Sequence, residues 1–142
     1  MRGLKVGVAQ YASTFEQRST LSIVEKATGE AKENGVGLLL FPEAFIGGYP
    51  RGSAFGSKVG GRSEAGRDEY LHYHNAAVDL RPESWERLEL ERISKYHGIF
   101  LAVGCIERAS SLYCTVVYID PVNGYVGKHR KIMPVMYPRM YL

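Results

Sequence analysis

The sequence predicts an α/β fold, and three observations predict it. Two short apolar runs flank a segment of helical periodicity, a second helical segment closes on a glycine, and three strand-like runs then follow one another across short turns. With 142 residues and 45% hydrophobic content, the chain is long enough for one core and too short for two, so a single domain over residues 1–142 is expected.

Residues 4–9 (LKVGVA) read as a short buried strand that ends at a polar turn. Ser13 and Glu16 have the spacing of a capping box, and Leu21, Val24, Ala27 and Ala31 recur at helical intervals until Asn34 and Gly35 stop them. Residues 36–41 (VGLLLF) are continuously apolar without alternation, which predicts a strand covered on both faces. Together these form a β-α-β unit with parallel strands. Its second strand delivers Phe41-Pro42-Glu43 to the carboxyl rim, where open α/β sheets carry their sites. Residues 44–66 are rich in glycine and aromatics and read as a long loop. Residues 68–78 read as a helix. A second amphipathic helix runs from Pro82 to Gly98, with Trp85, Leu88, Ile93 and Tyr96 along it. Residues 99–107, 112–119 and 125–131 read as a meander of three strands, the second turn carrying an Asn123-Gly124 pair.

The formal charge of +3, with acids and bases interspersed, gives no electrostatic case for nucleic acid or anionic lipid as a partner. No apolar run approaches the roughly 20 residues of a membrane span, and the N-terminal run does not read as a signal peptide, so a cytoplasmic address is expected. The two cysteines, Cys105 and Cys114, fit neither a disulfide scaffold nor a zinc site. His72 and His74 on a helix point in diverging directions with no third ligand, so neither a metal nor another cofactor is expected. Glu43 at a strand end is either a turn cap or a site residue. In Lys128-His129-Arg130-Lys131, strand alternation turns Lys131 and His129 to one face and Lys128 and Arg130 to the other, which argues against a single basic surface.

Two segments carry a family resemblance. FPEAFIGGYPRG (residues 41–52) resembles the region of the catalytic glutamate in the nitrilase and cyanide hydratase branch of the carbon-nitrogen hydrolases, and GYVGKHRKIMP (residues 124–134) is similar to the segment holding that family's catalytic lysine. VGCIERASSLYCTVVYIDP (residues 103–121) resembles the strand pair before it. The similarity runs over residues 4–134, and residues 135–142 diverge. The resemblance implies the N-terminal part of a nitrilase-type αββα sandwich. It also implies Glu43 as general base, Lys131 as the cation that steadies the tetrahedral intermediate, a small-molecule nitrile as substrate and a homo-oligomer for full-length members. Tyr49 in the GGYP loop is read as pocket lining by resemblance or, equally, as aromatic packing.

The family's nucleophilic cysteine follows the lysine by several tens of residues and has no counterpart here, which implies a truncated chain, inactive alone. A non-catalytic partner of full-length subunits and a coding sequence that continues past Pro134 stand beside that reading. Cyanide hydratase, which stops at the amide, stands beside nitrilase. A turn centred on Ala109 and Ser110 sets Cys105 opposite Cys114 in mid-hairpin, where both read as small, inert core residues.

Overall fold

The computed structural model describes residues 3–50, 52–53, 55 and 63–133. Along the chain come β1 (Val6–Val8), α1 (Gln17–Glu33), β2 (Leu38–Leu40), α2 (Glu64–Ala76), α3 (Trp85–His97), β3 (Phe100–Arg108), β4 (Leu112–Asp120) and β5 (Gly124–Arg130). The segment 135–142, expected above to diverge, lies outside the described residues.

Helix boundaries follow local chemistry. The expected Ser13–Glu16 capping box does not form: Glu16 is itself the N-cap of α1, its carboxylate accepting the backbone N–H groups of Arg18 and Ser19 at 3.0 and 2.5 Å. A carboxylate there satisfies two orphan amides and meets the positive end of the helix dipole. Ser84 caps α3, so Pro82 falls in the preceding turn rather than inside the helix, and Gly98 ends α3 in the left-handed region at φ 69°.

The sheet order is β1-β2-β3-β4-β5, parallel from β1 to β3 and antiparallel from β3 to β5. Helix α1 buries Leu21, Val24, Ala27 and Ala31, and α3 buries Leu90 and Ile93, in one cluster with Leu39, Leu101, Val103, Cys105, Val117 and Ile119. Each of the larger of these side chains contributes about 1.5–3 kcal/mol relative to exposure. The helices thus cover the sheet face to which the odd-numbered residues of β3 point.

The opposite face corrects an expectation. Along β2 only Leu39 is buried, while Leu40 and, on β1, Val6 and Val8 are exposed. Continuous apolarity therefore marks a strand with one face packed on helices and one face bare among the described residues. That other face is covered only toward the carboxyl end of β3, by a small cluster of Ala44, Tyr73, Ala77 and Ile106, with Phe55, Leu112 and Cys114 against it.

The β3–β4 register also departs from expectation. Arg108 pairs with Leu112 across a three-residue turn, so Cys105 faces Thr115 and Cys114 faces Ile106. A shift of one residue reverses the face of a side chain relative to its partner strand, and the two cysteines lie on opposite faces of the sheet.

Candidate active site

The site forms where the β2 line is interrupted. Phe41 N–H still bonds the Ala102 carbonyl, and Ile46 resumes pairing with β3 through Gly104 and Ile106, but residues 42–45 leave the plane of the sheet. The detour passes directly over Gly104, where an added Cβ would lie 2.0 Å from the Pro42 carbonyl oxygen and 2.8 Å from Glu43 Cα. Only glycine admits that approach. Ala44, buried and left-handed at φ 52°, completes the turn and holds backbone strain beside Glu43.

Glu43 stands on the face opposite α1 and α3, beside the small cluster to which α2 contributes Tyr73. Lys131, one residue beyond β5, is fixed there because its N–H bonds the Cys114 carbonyl at 2.8 Å. Its ammonium donates to Glu43 Oε1 at 2.8 Å, with both side chains part-exposed. The two residues predicted from the sequence are therefore brought together although 88 positions separate them. The Lys131 ammonium holds the Glu43 carboxyl below the usual carboxylate range, against a smaller opposing effect of burial and with help from the Cys114 thiol. Glu43 in turn raises Lys131.

The third member of the cluster was not anticipated. Cys114 Sγ donates to the same Glu43 Oε1 at 3.2 Å. Burial first, then the bond to Glu43 and its charge, push this thiol up to about 11, so it is a neutral donor at physiological pH. The expected cysteine pairing had concealed it; the alternation of β4 with a three-residue turn is the signal that would have found it. Cys105, by contrast, is wholly buried under the helices, which raises its thiol strongly. Tyr49 is half-exposed, and its phenol is near enough to Lys131 and Tyr73 to act on the charge of each.

The same alternation sends Lys128 and Arg130 through to the helix side, as the sequence predicts. There both engage Glu107, Arg130 with a bidentate contact at 2.7 and 2.9 Å, and Thr115 adds a hydroxyl at 3.0 Å. Glu107 is only 2% exposed, and these donors outweigh its burial to hold it at about 2. His72 rests on Phe15 and His74 on Tyr70, and among the described residues no three side chains gather as metal ligands.

Chemically, the face presents a carboxylate held ionised, able to accept a proton, beside a fixed cation able to donate to developing negative charge.

A family profile described as carbon-nitrogen hydrolase matches residues 5–141. The chain is 45% identical over 140 residues to an arylacetonitrilase of Trametes versicolor, covering 96% of this chain and 43% of that protein. It is 42% identical over 139 residues to a bifunctional nitrilase/nitrile hydratase of Nicotiana tabacum, covering 96% of this chain and 39% of the relative. The chain thus spans about two fifths of the length of these curated relatives. Among solved structures, an amidase of the nitrilase superfamily from Nesterenkonia superposes with a TM-score of 0.62 at 22% identity, covering 92% of this chain and 44% of that one. A carbon-nitrogen hydrolase from Helicobacter pylori superposes at 0.59 with 14% identity, covering 92% and 40%.

Proposed function

The chain belongs to the carbon-nitrogen hydrolase family, and from that membership we propose that it provides the acid–base half of a nitrilase centre. The observation that carries this reading is the Glu43–Lys131 pair, held at 2.8 Å on the face opposite α1 and α3 by two separate strand ends. The identity to nitrilases supports a nitrile as substrate.

In the proposed reaction a cysteine thiol, supplied from outside the Glu43–Lys131 pair, adds across the nitrile. A carbon–sulfur bond forms, Glu43 takes the thiol proton, and that proton passes to nitrogen to give a thioimidate. Water activated by Glu43 adds to this carbon, and Lys131 donates to the charge that develops at the tetrahedral stage. Expulsion of ammonia leaves a thioester, which a second water converts to the carboxylic acid and free thiol. Expulsion of the thiol instead would release the amide, the outcome of a cyanide hydratase. No cofactor takes part. Tyr49 lines the entrance to this face, and full-length subunits assemble as a homo-oligomer away from membranes and nucleic acid.

The 142-residue chain alone should release no ammonia from aryl, arylaliphatic or aliphatic nitriles. Joined in frame to the downstream part of an arylacetonitrilase it should release ammonia, and Glu43→Gln or Lys131→Met should lower that rate by at least about 10²-fold. Ammonia release by the unfused chain, or a fusion indifferent to Glu43, would refute the proposal.

A second reading, a non-catalytic partner that docks on full-length nitrilase subunits, is favoured by one observation: Leu4, Val6, Val8 and Leu40 stand exposed on the bare side of the sheet and its approach. Co-purification with a full-length homologue tests it, and indifference to such a homologue excludes it.

A further inference from the structure

We propose that Cys114 is a positioning residue for Glu43, its thiol and the Lys131 ammonium converging on one carboxylate oxygen so that the other is turned to the reacting proton. The geometry is specific to the oxygen. Cys114 Sγ lies 3.2 Å and Lys131 Nζ 2.8 Å from Glu43 Oε1, and Oε2 has no partner among the described residues. Two donors reaching one oxygen from two different strands restrict where that oxygen can sit more than Lys131 alone would. The scaffold supports this division. Lys131 is tied by its own N–H to the carbonyl of Cys114, so the two donors are held by one backbone contact and move together.

The thiol suits the role as a neutral donor. Partly buried against Ile106 and Tyr73, Cys114 resists ionisation, and a thiolate at this position would repel the carboxylate instead of holding it. The charged and titratable groups around it are Glu43, Lys131 and the Tyr73 phenol, which burial keeps neutral. The same facts separate Cys114 from the nucleophile, which must ionise readily.

This inference rests on Glu43 being the base, yet its test reads titration and not hydrolysis, so the two stand or fall separately. In the 142-residue chain labelled with carboxyl-enriched glutamate, Glu43 is followed by NMR against pH. Cys114→Ala should raise the Glu43 pKa, and Cys114→Ser, which keeps a donor, should return it toward the parent. In the reverse direction, Glu43→Gln removes the charge that suppresses thiolate. Alkylation of Cys114 by iodoacetamide at pH 8, mapped by mass spectrometry with buried Cys105 as the internal reference, should then accelerate at least about threefold, since each pKa unit changes the thiolate fraction about tenfold. A Glu43 titration indifferent to Cys114→Ala, a serine variant that behaves like alanine, or an unchanged alkylation rate overturns the proposal. If Cys114→Ala does not fold, the alkylation measurement decides.

Discussion

Two acidic residues of this chain, Glu107 and Glu43, meet their cations by different physics, and the difference is measurable. Glu107 is buried, so its interactions with Lys128, Arg130 and Thr115 are little screened by solvent. Glu107→Ala would remove the buried partner of both part-exposed cations and should cost up to about 3 kcal/mol, read as a lower urea midpoint. Its folded pKa, about 2, lies below the ordinary 4.5. The stability it contributes is therefore present above about pH 4.5 and is lost as pH falls toward 2. Glu43 is half-exposed, and Glu43→Gln should change stability by less than about 1 kcal/mol in the same assay. Its carboxyl is also lowered, so the small contribution has the same sign: present above the unfolded pKa and fading on acidification. A loss from Glu43→Gln as large as that from Glu107→Ala would contradict this division between an internal tie and a part-exposed pair.

At the scale of elements, the β-α-β unit and the meander were legible because periodicity, a glycine stop after α3 and the Asn123-Gly124 turn each report on local energetics. Glu43 and Lys131 were legible from their motifs, and the alternation of β5 separated Lys131 from Lys128 and Arg130. The β3–β4 register was not legible. Ala109-Ser110-Ser111 contains no glycine or asparagine to specify a turn of two or three residues, and that one-residue difference decides whether Cys114 faces its fellow cysteine or the Glu43 carboxylate. Nor was the role of Gly104, because a glycine inside a strand does not announce which backbone crosses it. The structure makes it decisive for the site. Gly104→Ala places a methyl group against the Pro42 carbonyl, backbone against backbone, where no side chain can turn aside. The loop carrying Glu43 must lift, and the carboxylate must leave Cys114. The expected signature is local: alkylation of Cys114 accelerates as in Glu43→Gln, while the far-UV circular dichroism of the helices is retained. Slow alkylation in a folded Gly104→Ala protein would show that the loop does not depend on this contact.

At the scale of the whole molecule, the asymmetry of the sheet governs behaviour in solution. One face is packed under α1 and α3, whereas the other exposes Val6 at 62%, Val8 at 75% and Leu40 at 41%, with Leu4 at 69% on the approach to β1. Val6 pairs with Leu38 and Val8 with Leu40, so these residues share one face at the β1 edge of the sheet. An apolar patch beside a strand edge that is unpaired among the described residues offers a second chain both hydrophobic area and main-chain hydrogen bonds. The isolated 142-residue chain should therefore associate, with sedimentation velocity showing species heavier than the monomer as concentration rises through the micromolar range. A lysine at each of positions 6 and 8 puts charge on both the patch and the edge, which opposes pairing without touching the helix-covered core. The Val6→Lys, Val8→Lys double variant should shift the distribution to monomer. Because both side chains are already largely in water, it should change unfolding free energy by less than about 1 kcal/mol. A parent chain that stays monomeric, or a double variant that associates as readily, would show that the bare face is not what drives contact. If the variant also ceases to co-purify with a full-length homologue that captures the parent, the β1 side of this face carries both self-association and docking. If capture persists while self-association is lost, docking uses a different surface.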